Sequence, residues 1–581
     1  MKVNYQYQSP SMCIQNGNNV TLGLSPDNSR DEKVSFLGKV KNPLVFRDAM
    51  LMLREIVISD ASKKEKNRDE FFKWLDEETQ RRIANHEEYL KDVENDLVEK
   101  SNAKLLEIKA QDDELAKLSK LRAALASEID KKDSWRDYKK IERDFWKFIY
   151  GRDIDLWYVL DPVITVHPDI VSFEAFSVDE SIYGCLSIDR DEFEMLKEPK
   201  LGTTNIDFSV KLATEMSRFR TYTDVELSVN PDGFTVDTGV MPEYIEKKID
   251  LPESWVKGFT QVSSAANLSG MDIEISKVDM YDICSFLRRN KARKSPRYMK
   301  WIFEPNKPIK ILFEPFKKEL TLTTIYTGDK PKEEKIWGRR RWLVVEKLIP
   351  LVDSFTIKFL GFGMPQFVTG NLKGMKMTIG FSAWSANDWV KGTAFNVMSG
   401  FITDGNYSEV YDFLKEERKA SFDEIKNKFS VAPKDKVTAG IGAVFKRGEG
   451  YFDPTKNIVR FRRLFNEPIP KEMYETTQIE RDVAELIKSA MTNFSVKLGL
   501  ANEFIFKNLY DNHETTVIID EDGQITSVKC NCKTFVRGAR NISEPCAHVL
   551  ALYVTSVKFT KLSDLISDKE YFINDIMEVL L

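Results

Sequence analysis

Four soft donors crowd the C-terminal part of the chain: Cys530-Asn531-Cys532 and, thirteen residues later, Cys546-Ala547-His548. Three thiols and one imidazole suit Zn²⁺, which takes four tetrahedral N and S ligands in closed structural sites. A Cys-x-Cys pair at the end of a hairpin can turn both sulfurs toward one ion. The first turn of a helix can deliver a Cys and a His to the same ion. Four protein ligands leave no position for water, so the chemistry expected is one structural zinc rather than a catalytic one. His86, His167 and His513 stand alone in the sequence and read as ordinary surface or core histidines.

The elements that must position these donors are legible around them. Thr515–Ile519 reads as an apolar strand, Asp520–Gly523 as a turn, and Ile525–Lys529 as the return strand ending at Cys530. Pro545 suits the start of a helix that continues through the apolar run Val549–Val554. This arrangement resembles the SWIM zinc finger, whose pattern is Cys-x-Cys, a variable gap, then Cys-x-His. Upstream, Gly450-Tyr451-Phe452-Asp453 and Val459-Arg460-Phe461-Arg462-Arg463-Leu464 look like the segment preceding the finger in a group of bacterial SWIM proteins. The likeness spans roughly residues 405–556. Members of that group are often encoded beside a MoxR-type AAA ATPase and a von Willebrand A-domain (VWA) protein, so the resemblance implies those two as partners.

A second pattern is basic. Between Phe286 and Lys347, 18 lysines and arginines face 7 aspartates and glutamates, although the whole chain carries a net charge of −5. Arg288, Arg289, Arg293, Lys294 and Arg297 open the segment beside Tyr298 and Trp301; Arg339, Arg340 and Arg341 close it between Trp337 and Trp342. Arginine with neighbouring aromatics suits phosphate contact and base stacking. Lys436, Arg460, Arg462 and Arg463 form a further set. These residues mark DNA or RNA as an expected ligand. The competing reading is a protein–protein adaptor that presents targets to the ATPase system, the same basic residues being a solvated or docking face. Arg460, Arg462 and Arg463 read as surface residues whose loss leaves the fold unchanged.

The remaining chain divides by pattern. No Pro or Gly lies between Pro43 and Gly151, and apolar residues recur there at spacings of three and four. This reads as a long amphipathic helix or a helical hairpin with a coiled-coil seam: either a solvated arm packed on its own protein, or a coiled-coil arm that docks a partner or a second copy of the chain. Period-two alternation at Val225, Leu227 and Val229, a Pro231-Asp232-Gly233 turn, then Phe234 and Val236, read as a hairpin. Strands are expected at Lys310–Phe313, Leu320–Thr324, Phe355–Leu360 and Met375–Phe381. Strand-then-helix units at Cys185–Leu196 and Ile273–Leu287 suggest an internal repeat and distantly resemble sliding-clamp-type modules. Ser421 and Glu424 form a capping-box pattern within three helices followed by a two-stranded ribbon, the order of a winged helix-turn-helix. The fold class expected is therefore α+β and multidomain: an N-terminal β or irregular segment (1–45), a helical coiled-coil arm (46–150), a β-rich α+β domain with an internal repeat (151–395), a winged-helix-like domain (400–468), and a SWIM zinc finger domain with C-terminal helices (475–581).

Composition narrows the function classes. The 581 residues hold no apolar run of signal-peptide or membrane-spanning length, and their 42% apolar content is that of folded protein. Six cysteines without a disulfide-like spacing point to the cytoplasm. No Gly-x-x-x-x-Gly-Lys-Ser/Thr loop occurs and no histidine sits in a catalytic motif, so the expectation is a non-enzymatic zinc-binding interaction protein, without a membrane partner.

Overall fold

A computed structural model describes residues 5–7, 11–27, 31–59, 162–206, 208–231, 246–248, 253–292, 297–361, 363–382, 389, 395, 408–465, 478–489, 495–498, 504–510, 512–520, 524–535 and 545–563. Residues 1–61 and 158–581 belong to one compact unit. The second unit, 62–157, lies outside the described residues, and with it almost all of the expected coiled-coil arm.

An eight-stranded antiparallel sheet forms the centre. Its order is Met271–Ser276, Ser354–Phe359, Gln366–Leu372, Met375–Phe381, Ile182–Asp189, Ile170–Phe176, Val163–Val166, Gly202–Asn205. Ser354–Phe359 alternates buried and half-buried residues, whereas Ile170–Phe176 is buried at every position. Two helices explain the difference. Ile56 of the helix Pro43–Ile58 lies against Gly184, where a Cβ would come within 2.7 Å of it. On the opposite face Phe176 and Tyr183 pack on Phe259 of the helix Glu253–Ala266. A sheet covered on both sides has no polar face to signal in sequence.

A four-stranded sheet, Lys318–Ile325, Pro308–Phe313, Met299–Phe303, Lys332–Ile336, repeats the order of Ile182–Asp189, Ile170–Phe176, Val163–Val166, Gly202–Asn205. The internal repeat thus has other limits than the sequence units: Ile182–Asp189 leads into a single 3-10 turn, Arg190–Glu192, and a short strand, Phe193–Met195, not into a helix. A third sheet joins the N-terminus to the middle of the chain, pairing Asp224–Val229 in parallel with Asn19–Leu24 and antiparallel with Phe36–Val40. Val225, Leu227 and Val229 therefore pair with distant strands, and residues 232–245 lie outside the described ones.

These contacts correct the expected fold class. Strand outweighs helix among the described residues, and the supposed successive modules interleave within one unit rather than standing as a multidomain α+β series. The start of the supposed arm, Pro43–Ile58, is a core helix that buries Phe46, Met50, Leu53 and Ile56. Over 408–461 the expected elements form in the expected order, and what the contacts correct is the role of the ribbon. Residues 408–461 form the helices Ser408–Glu417, Phe422–Lys428 and Lys434–Lys446 and a small sheet of Lys419–Ser421, Ile458–Phe461 and Gly450–Asp453. The Ser421–Glu424 capping box is formed. But the ribbon is not a projecting wing: Tyr451 reaches Ser172 and His167 of the central sheet, and Thr260 donates to the Phe445 carbonyl.

Candidate metal centre

The C-terminal sheet runs Ser495–Leu498, Phe504–Tyr510, His513–Ile519, Ile525–Cys530. Apolar Val517 and Ile519 face the helix Ala547–Ser563 below, so the sheet and helix bury one another. In the turn, Asp520 accepts from the Gln524 amide at 2.8 Å and donates its own N–H to the Gln524 carbonyl. This closes the hairpin in a register that sets Cys530 opposite Thr515. Cys532 follows two residues beyond the strand end. Cys546 immediately precedes the helix; its carbonyl accepts the Leu550 N–H, and its thiol takes the Val549 N–H. A helix N-terminus favours a thiolate there, because its free amides and dipole face the sulfur.

Geometry brings the four donors together. One ligand atom from each of Cys530, Cys532, Cys546 and His548 lies within 4.8 Å of every other. Cys530 Sγ and His548 Nδ1 are 3.9 Å apart. A tetrahedron with Zn–S of ~2.3 Å has edges of ~3.8 Å, so only a small contraction is needed to close the set on one ion. The three cysteines are buried and His548 is half-buried. Thr515 Oγ1 donates to Cys530 Sγ at 3.3 Å, and the Cys532 and Phe535 amides lie 3.5 and 3.3 Å from the sulfurs of Cys530 and Cys532. Such donors stabilise sulfur in its anionic, metal-binding form. The Cys530 thiol is held well below its usual range, first by the Cys546 hydrogen bond, then against burial by His548 and Thr515. Cys546, the donor of that bond, is pushed up.

His513, isolated in sequence, joins the surroundings. Its ring lies 5.1 Å from that of His548, and its Nδ1 is 3.3 Å from Asn531 Oδ1. Tyr510 stacks on His548 at 5.9 Å. The signal was available: Tyr510 and His513 flank a tight turn and so pair directly. The hairpin is fastened to the body through a parallel bridge between Gly361 and Ile525, a Gln524 side-chain bond to the Phe359 carbonyl, and a Lys332–Asp520 ion pair of 3.2 Å.

The basic residues do not form one surface. Arg460 and Arg462 are fully buried. Arg460 pairs with Asp453 at 2.9 Å and Asp169 at 2.8 Å; Arg462 pairs with Glu174 and lies 4.1 Å over the Phe259 ring. Neither can meet a phosphate backbone, which corrects their assignment as nucleic-acid residues. Arg341 is also buried, donating to Ser181 and Ser382. Arg339 is 3% exposed and donates to the Tyr298 carbonyl. Arg463 is half-buried; Arg288, Arg289, Arg297, Arg340 and Lys436 are exposed, and Arg293 and Lys294 lie outside the described residues. Among the described residues, no helix is long and apolar enough to cross a membrane.

No family model matches this chain, and no curated protein does. Among solved structures, the proliferating cellular nuclear antigen of Entamoeba histolytica aligns with 38% of this chain and 89% of its own, at 11% identity and a TM-score of 0.26, too low to assign a fold.

Proposed function

We propose that Cys530, Cys532, Cys546 and His548 hold one zinc ion as a structural centre of the SWIM type, within a protein that binds a partner rather than catalyses a reaction. The observation that supports this reading is the closed set of four soft donors within 4.8 Å. When bound, zinc would tie the end of the hairpin to the first turn of the helix Ala547–Ser563 and supply folding free energy, ~10–16 kcal/mol in isolated finger peptides. The chain's own residues do the rest: Thr515 and the amides of Cys532, Phe535 and Val549 hold the sulfurs as acceptors, and Tyr510 and His513 fix the His548 ring. All six cysteines are free, which suits a reducing compartment. Elemental analysis of the freshly purified chain is the test. One zinc per chain, lost in Cys546→Ala, is the expected result; a metal-free wild-type protein would overturn the reading.

A further inference from the structure

Three arginines sit together at the junction of the four-stranded sheet and the 3-10 segment Arg339–Leu348, and none makes an ion pair with a described residue. Arg339 spends one nitrogen on the Tyr298 carbonyl at 2.7 Å and stands 5.8 and 5.6 Å over the rings of Phe313 and Phe316. Its Nη2 is buried and has no hydrogen-bond partner. Exposed Arg340 gives Nη1 to the Leu287 carbonyl at 2.8 Å. Arg297 is exposed beside them. Burial, then Arg340 and Arg297, pull the Arg339 guanidinium below its usual range, and Glu314 is the acid that opposes them. Glu314 is thus the acid facing the cluster, while Glu346 pairs with Arg288 and Glu333 with Lys300. Like charges held together repel, and a bound anion relieves that repulsion.

Aromatic rings adjoin the cluster. Tyr298 and Trp337 face each other across the paired strands with centroids 5.5 Å apart, and Lys335 lies 5.8 Å over the Tyr298 ring. Both residues are half-buried. Exposed Arg289 and Lys291 add positive charge at the end of the helix Lys277–Arg289. The geometry points to a binding site for single-stranded nucleic acid, with phosphates on Arg297 and Arg340 and unpaired bases on Tyr298 and Trp337. A single strand fits better than a duplex, because stacking on these rings requires bases free of a complement. The inference names the partner class left open above and rests on the reading of the protein as a binder.

Fluorescence anisotropy on the full chain tests it, with a labelled oligothymidine of roughly 20 nucleotides, the matching duplex, and inorganic phosphate as competitor. The single strand is expected to bind more tightly than the duplex, with affinity falling as salt rises. Arg297→Ala with Arg340→Ala, both exposed, should weaken binding and make the salt slope shallower by about 1.4, at ~0.7 per phosphate contact. Tyr298→Ala should weaken binding about tenfold and leave the slope unchanged, as a lost stacking contact does. Absence of binding at low salt, preference for the duplex, displacement by millimolar phosphate, or wild-type affinity in the double variant would overturn the site. Zinc content, read on the same preparations, keeps failure here separate from failure of the metal centre.

Discussion

Replacing Arg462 should unfold more than its position in a short ribbon suggests. Its side chain is fully buried and its partner Glu174 is 1% exposed, with Tyr183 also donating to that carboxylate at 2.7 Å. Arg462→Ala leaves a carboxylate in the interior without its cation, which costs ~3–5 kcal/mol, far above the ~0.5 kcal/mol of an ordinary surface substitution. The cost has a pH signature. Burial already raises the Glu174 carboxyl, and Arg462 is the charge that holds it down. Without Arg462 its folded-state value rises further above the unfolded one. A group raised in this way contributes stability that is present at low pH and lost as pH rises through the folded value. Arg462→Ala should therefore be least damaging near pH 4 and most damaging at neutral pH. Glu174→Gln combined with Arg462→Met removes both charges and should be milder than the single change. Urea unfolding followed by tryptophan fluorescence at several pH values measures all three. A cost within ~0.5 kcal/mol, or one that neither pH nor the second substitution alters, would refute the argument.

Two further outcomes follow from how the hairpin is seated. Gly361 has φ +104°, and a Cβ there would meet the Ile525 carbonyl at 2.5 Å; Gly361→Ala should loosen the hairpin, read as faster amide exchange at 525–530 with the central sheet unchanged. Glu334 is buried, and burial first, then Asp520, pushes its carboxyl up to about 8 against the pull of Lys332. Its folded value lies above the unfolded one of ~4.3, so the stability it contributes is present below that value and falls as pH rises toward 8. Glu334→Gln should flatten that fall, and an unchanged pH–stability curve would remove Glu334 from the account.

What was legible in the sequence was local. The cysteine and histidine spacing, the apolar hairpin before it and the Ser421–Glu424 box each depend on neighbours within a few residues, and all three appear where expected. What was not legible depended on distant partners. Arg462 reads as a surface cation because its counter-ion Glu174 lies nearly three hundred positions earlier, and Arg460 because Asp169, which joins Asp453 in pairing it, is as distant. Val225–Val229 read as half of a hairpin because its alternation cannot reveal that Asn19–Leu24 and Phe36–Val40 are its neighbours. The Pro- and Gly-free stretch after Pro43 read as a solvated arm, yet its start belongs to the helix Pro43–Ile58, whose apolar face enters the core. His513 stands alone in the sequence, and its pairing with Tyr510 sets it beside His548.

Zinc K-edge X-ray absorption on the freshly purified chain tests the central claim most directly, since it reads the ligand atoms themselves. The expected result is a four-coordinate shell of three sulfurs at ~2.3 Å and one nitrogen at ~2.0–2.1 Å, with one sulfur missing in any residual metal bound by Cys532→Ala. A shell of oxygen and nitrogen without sulfur, or no zinc at the edge, would contradict it.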